Sequence, residues 1–242
     1  MHAAIVTGVS RGLGEALAVA MLARGFAVLG VGRTASPRLK GRLYHHAECD
    51  LAQPALLAAA LTPPLRRLAA GKPTTVTLIN NAAVATPTGL VGHLDSAAIA
   101  SALAINAAAP VVMADLFCRS FPDDAVERRI INISSGAAQT ALAGTAVYGM
   151  SKAALEMLTR SIAVEHAASR LRCISVRPGI FETGMQAHMR SRDPVEFPSA
   201  GLFRGFKDNG LLKDPADVAA RIVDRLVLGP IENGRTYTHT DL

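Results

Sequence analysis

The chain has 242 residues, half of them apolar and 18% charged, with a net charge of +6 at pH 7. That balance excludes a disordered or fibrous chain, and the length allows one large domain with a substantial buried core. The basic residues are scattered and aromatics make up only 4% of the chain, so the positive charge does not read as a nucleic-acid surface with a base-stacking platform.

Residues 3–8, AAIVTG, are a short apolar run ending in glycine and predict a first strand. Residues 13–25 have helical spacing, with Gly25 placed to cap the helix. Further strands are predicted over 26–32, 42–50, 75–80, 128–134 and 172–179, and long helices over 96–121 and 145–168. Strands alternating with helices predict an α/β fold: a single Rossmann-type doubly wound domain whose seven-stranded, mostly parallel sheet carries helices on both faces. No linker, repeat or low-complexity tract interrupts residues 1–242, which read as one domain. The segment 180–213, rich in Met, Phe, Arg and Gly, follows a strand's carboxyl end and reads as a substrate lid of loop and helices.

No apolar run is expected to reach the roughly 18 residues that span a bilayer, and the N-terminus enters a strand without a signal-peptide pattern. Cys49, Cys118 and Cys173 are few, scattered and odd in number, which predicts a reducing cytoplasm. The seven histidines form no metal-ligand spacing, so no metal is expected.

TGVSRGLG, residues 7–14, lies directly between the first strand and the first helix. Gly8, Gly12 and Gly14 allow a sharp turn and a close approach of backbone N–H groups to a bulky anion, at the positive end of the helix. A tight strand-to-helix turn without a ligand needs glycines too, but a nucleotide pyrophosphate fits this context better. At the end of the second strand, Gly32 stands where an acidic residue would hold the ribose 2′-hydroxyl of NAD. Arg33 follows and Arg11 stands in the glycine loop; two guanidiniums at one place suit a 2′-phosphate, which predicts NADP(H) in preference to NAD(H).

Together with N-N-A at 80–82, Asn106, the pair Ser134–Ser135, Y-x-x-x-K at 148–152 and P-G-x-x-x-T at 178–183, these motifs run in order at suitable distances. From about residue 3 to 230 the chain resembles the classical short-chain dehydrogenases/reductases. FETGMQAHMR at 181–190, FRGFKDNGLLKDP at 203–215 and the short ending resemble the sepiapterin reductase and benzil reductase branch. The resemblance implies that Gly8, Ser10, Arg11, Gly12, Leu13 and Gly14 cradle the cofactor phosphates, with Arg33 and Thr34 at the adenosine ribose. It implies that Asp50 and Leu51 flank the adenine, and that Asn81 and Ala82 line the cofactor beside the fourth strand. Pro178, Gly179, Ile180 and Thr183 would hold the nicotinamide carboxamide. Residues 80–83 read N-N-A-A where the family usually has N-N-A-G, and the tail ENGRTYTHTDL departs from the common pattern, which puts in doubt any oligomer contact made by a longer C-terminus.

Carbonyl reduction needs a proton for the oxygen, and a phenol, with an ordinary pKa of about 10, needs a nearby cation to serve near neutrality. Tyr148 and Lys152 are one helical turn apart and share a face. The resemblance makes Tyr148 the proton donor and Lys152 both its tuner and a ligand of the nicotinamide ribose. Ser135 would orient the substrate oxygen, and Asn106 would hold a water that relays protons through Lys152. Gln139, Leu142, Met185 and Phe203 are expected to wall a pocket for a small hydrophobic or aromatic carbonyl or alcohol. A catalytically idle NADP(H)-binding sensor on the same fold is the alternative. The resemblance implies that the alanine-rich faces on 96–121 and 145–168 form dimer interfaces, so a homodimer or homotetramer is expected, with no nucleic-acid or membrane partner.

Overall fold

The computed structural model describes residues 1–122 and 126–242. In chain order the elements are β1 (His2–Thr7), α1 (Gly12–Ala23), β2 (Ala27–Gly32), β3 (Tyr44–Glu48), α2 (Leu57–Ala70), β4 (Thr75–Asn80), α3 (Ser96–Leu103) and α4 (Ala109–Ser120). Then come β5 (Glu127–Ile133), α5 (Ala146–Glu165), β6 (Leu171–Arg177), α6 (Gly184–Ser191), α7 (Ala200–Asp208), α8 (Pro215–Ile222) and β7 (Thr236–Thr238). The seven strands form one sheet in the order β3-β2-β1-β4-β5-β6-β7, and every pairing is parallel.

The sequence produces this sheet because its central strands are apolar on both faces. Ala3, Ala4, Ile5 and Val6 of β1 are all fully buried. Successive residues point to opposite sides: Ala4 and Val6 pack with Leu17, Met21, Val218 and Ile222 of α1 and α8, while Ala3 and Ile5 pack with Leu57, Leu61, Met113 and Phe117 of α2 and α4. The strand order reverses between β1 and β4, so a crevice opens at the carboxyl edge of the sheet where those two strands end.

One expectation changes. Ser96–Ser120 is one continuous apolar helix, α3 and α4 joined by a π-helical turn over Ala104–Ala108, and by length and composition it is long enough to cross a bilayer. The prediction that no apolar run reaches that length is therefore incorrect, because Asn106 and Pro110 interrupt the composition without ending the helix. Here it buries Ala102, Asn106, Ala109, Met113 and Phe117, with Ala109, Met113 and Phe117 packed beside β4. The segment 180–213 also contains two regular helices, α6 and α7.

Candidate active site

Residues that the sequence scatters over more than a hundred positions meet at the carboxyl edge of the sheet. At the tip of β1, the Thr7 hydroxyl accepts from the backbone N–H groups of Asn81 and Ala82, both at 3.0 Å. The Asn81 amide donates to Thr7 O at 2.9 Å, which binds the end of β4 to the glycine loop. Gly14 is required here by contact: a Cβ would lie 2.2 Å from Gly8 O and 2.4 Å from Asn81 Nδ2. The backbone of Gly8 through Gly14, with Ser10 exposed and Leu13 buried, thus forms a tight turn that opens α1 at its N-terminal end.

Arg11, Arg33 and Thr34 are exposed, and neither guanidinium makes a hydrogen bond or ion pair with the described residues. Leu51 is buried beside Asp50, whose carboxylate accepts from Ala52 N at 3.0 Å. On the other side of the crevice Pro178, Gly179 and Ile180 continue from β6. Thr183 caps α6 by accepting from Gln186 N, and its methyl group faces Gly12, so the glycine loop and the 178–183 loop approach each other. These features fit a dinucleotide: a cradle that one added carbon would fill, and two uncommitted guanidiniums at its rim.

Ser135 lies two residues beyond the end of β5, and Tyr148 lies in the first turn of α5, where its phenol is hydrogen-bonded to the Ser135 side chain. Burial raises that phenol above its ordinary value of 10.0, and the Ser135 bond acts in the opposite direction. Lys152, one turn on, is 2% exposed; its Nζ lies 5.7 Å from the centre of the Tyr148 ring and donates to Ile133 O at 2.7 Å. Burial disfavours its charge and lowers the ammonium from 10.5 to about 8. Lys152 is thus held beside the phenol by a β5 carbonyl, and its own charge is weakened there.

Asn106 sits in the π turn with its amide fully engaged. Its Oδ1 accepts from Val84 N at 2.8 Å, and its Nδ2 donates to Val84 O at 2.8 Å and to Ser151 Oγ at 3.1 Å. Ser151 in turn donates to Tyr148 O at 2.7 Å. Asn106 therefore links the loop after β4 to the first turn of α5. A turn with i→i+5 bonds is a common device for placing such a residue.

Of the pocket residues expected from sequence, Met185 and Phe203 pack with Tyr148 against buried Ala85, Met189, Phe197 and Ala200. Leu142 is half-buried on the loop leading into α5, and its carbonyl accepts from the Thr145 hydroxyl. Gln139 is exposed and its side-chain oxygen accepts from Arg177. Phe197 is fully buried against Gly144, and Ser199 donates to Ala143 O at 2.7 Å, so the segment 180–213 rests directly on the loop between Ser135 and Tyr148.

The structure adds polar residues beneath this site, of which Asn80 and Ser134 belong to motifs singled out in the sequence. Asn80, Asn132, Thr159 and Ser175 form a buried hydrogen-bonded chain across β4, β5, α5 and β6, with links of 2.7–2.8 Å. Glu156, 5% exposed, receives the Ser134 hydroxyl at 2.6 Å and a two-pronged contact from Arg177 at 2.7 and 2.6 Å. Spacing held a signal for Glu156: it stands one turn after Lys152 on the same face, where a carboxylate must be paired.

Comparison with known proteins agrees with this arrangement. The short chain dehydrogenase profile matches residues 2–194. The benzil reductase ((S)-benzoin forming) of Bacillus subtilis (strain 168) is 32% identical over 239 residues, covering 98% of each chain. The crystal structure of a short chain dehydrogenase/reductase from Saccharomyces cerevisiae superposes with a TM-score of 0.84 at 26% identity, over 99% of this chain and 96% of the other. A short chain dehydrogenase from Burkholderia cenocepacia, solved in complex with NADP, gives a TM-score of 0.74 at 26% identity over 97% and 94% of the two chains. The sheet order, the crevice and the full-length match to a benzil reductase together establish that this chain belongs to the short-chain dehydrogenase/reductase family, whose members are oxidoreductases acting on carbonyl or alcohol substrates.

Proposed function

We propose that the protein reduces a small hydrophobic or aromatic ketone or diketone, with NADPH as its preferred cofactor. The meeting of Ser135, Tyr148 and Lys152 at the mouth of the crevice carries this reading. NADPH would supply the hydride. Ser135 orients the carbonyl oxygen, Tyr148 delivers the proton to it, and Lys152 holds the nicotinamide ribose while its positive charge favours phenolate. With a pKa of about 8, Lys152 is still mostly protonated at neutral pH. Asn106 shapes the π turn; because its amide is engaged, a proton-relaying water there would take a backbone carbonyl instead.

NADP(H) over NAD(H) is supported by Gly32 at the end of β2, where an acid would serve NAD, and by Arg11 and Arg33 without partners among the described residues. A relative of the same fold binds NADP. The aromatic preference is supported by Met185 and Phe203 beside Tyr148 and by likeness to a benzil reductase. In this reading residues 1–242 act as one unit, with 180–213 as its lid.

A homodimer or homotetramer is supported by the outer faces of α4 and α5. Val111, Met157 and Val164 are 49%, 55% and 77% exposed, beside a groove lined by Ala107, Ala108, Ala154 and Leu158. A cytoplasmic setting agrees with the three free cysteines.

The test is NADPH oxidation by the purified protein over aromatic ketones, 1,2-diketones, quinones and pterins, repeated with NADH. Turnover of an aromatic carbonyl, faster with NADPH, is expected. Preference for NADH would overturn the cofactor assignment, and cofactor binding without turnover of any carbonyl would overturn the enzyme.

A further inference from the structure

We propose that Glu156 and Arg177 form a positioning clamp that holds the proton donor, the carbonyl-orienting serine and the 178–183 loop in one geometry while keeping net charge away from Lys152. The inference rests on the reading above that those three parts act together. Glu156 lies on α5, one turn after Lys152 and two turns after Tyr148. Its Oε1 accepts from the hydroxyl of Ser134, the residue before Ser135, at 2.6 Å. The same oxygen accepts from Arg177 Nε at 2.7 Å, and Oε2 accepts from Arg177 Nη2 at 2.6 Å. Arg177 is the last residue of β6 and directly precedes Pro178 and Gly179. Its remaining arm, Nη1, reaches Gln139, one turn beyond Ser135. One carboxylate therefore joins the ends of β5 and β6 to the helix that carries Tyr148 and Lys152.

The pair is nearly enclosed, with the Glu156 and Arg177 side chains 7% and 14% exposed. A planar guanidinium on a carboxylate fixes orientation as well as distance, which a single point charge does not. Burial would raise the Glu156 carboxyl, but the hydrogen bonds from Arg177 and Ser134 and the charges of Arg177 and Arg160 hold it below the ordinary value. The two groups that touch the Lys152 ammonium, Ile133 O at the end of β5 and the Tyr148 ring on its own helix, carry no charge. Glu156, one turn after Lys152 on the same face of α5, and Arg177, bound to it from β6, are the charges placed to act on Lys152, with Arg160 further along α5.

The signs follow. Arg177→Met leaves a carboxylate uncompensated near Lys152, favours its ammonium and raises its titration midpoint. Glu156→Gln leaves a guanidinium uncompensated and lowers it. A shift of about half a pH unit or more is expected in each direction for a unit charge at this range. Glu156→Asp and Arg177→Lys keep both charges but lose the two-pronged geometry, so the midpoint should stay while kcat falls about tenfold or more.

The chain has five lysines, so carbon-13 NMR of the lysine Cε positions, with Lys152 assigned by Lys152→Arg, reads this midpoint without turnover. Kcat is measured beside it with an accepted carbonyl. Opposed shifts in Arg177→Met and Glu156→Gln, a return toward the parent in the double variant Glu156→Gln/Arg177→Gln, and lowered kcat in Glu156→Asp support the clamp. Unmoved midpoints, or midpoints moving in one direction in both single variants, overturn it. If a single variant fails to fold, an unaltered kcat in Glu156→Asp and Arg177→Lys overturns it equally. A protein that reduces no carbonyl yet shows the opposed shifts would sink the proposed activity and not the clamp.

Discussion

Replacing Tyr148 with Phe removes one oxygen and leaves in place a ring that packs beside Met185, Phe197 and Phe203. The variant is expected to fold and bind NADPH as the parent does, while kcat falls at least about 10²-fold for want of a proton donor. Fluorescence titration of NADPH and a turnover assay separate the two effects, and full turnover in this variant would remove Tyr148 from the mechanism. Lys152 makes a thermodynamic prediction as well. Its pKa is about 8 when folded and 10.5 as an ordinary lysine, so between those values the unfolded chain holds the extra proton. Stability therefore rises with pH across that window, by about 3 kcal/mol from this group. The neutral variant Lys152→Met lacks the contribution, so urea denaturation should show the parent gaining on it as pH rises from about 8 to 10.5. A constant difference between the two proteins would show that burial does not suppress the charge.

At the scale of elements, the join between the proposed lid and the core depends on Gly144. Its φ of +84° lies in the left-handed region, and a Cβ there would come 2.5 Å from the fully buried Phe197 ring. Gly144→Ala should cost about 1 kcal/mol through the backbone alone and displace Phe197 as well. The expected result is a raised KM for the carbonyl with NADPH binding unchanged; an unaltered KM would show that Phe197 does not hold the lid in place. Much of the element pattern is legible in the sequence, because buried parallel strands are short apolar runs: 75–80 is read with both ends correct. The tight glycine turn that opens α1 is legible too, since its glycines are local. Less visible is α2, whose Pro63 and Pro64 lie inside the helix, and β7, whose three residues are too short to show a period. The π turn at Asn106 differs from an α-helix in bonding, not in spacing that a sequence displays. The pairing of Glu156 with Arg177 is hidden for a different reason: they are 21 residues apart on a helix and a strand, and only the packing of α5 on the sheet brings them together.

At the scale of the whole molecule, the apolar helix Ser96–Ser120 leaves part of its surface uncovered, and α5 exposes Met157 and Val164 nearby. A second copy laid against this face would bury both helices. Val111→Asp and Met157→Asp change exposed side chains, so each monomer should keep its fold while the assembly dissociates. Sedimentation velocity should find a dimer or tetramer for the parent and monomer for the variants; a monomeric parent would remove the interface.

The proposed lid leaves and rejoins the core at nearly one point. Phe181 and Lys213 form an isolated parallel bridge, with Lys213 N bonded to Ile180 O at 3.2 Å and Glu182 N to Lys213 O at 3.0 Å. A segment pinned at its two ends behaves as a cassette: its length can change without altering the register of the sheet. Exchanging residues 184–212 for the corresponding stretch of a family member is therefore a way to redirect substrate choice while Thr183 and the proposed proton-transfer residues stay in place. On the proposed reading, a new specificity would then need one stretch of chain replaced and no change to Ser135, Tyr148 or Lys152.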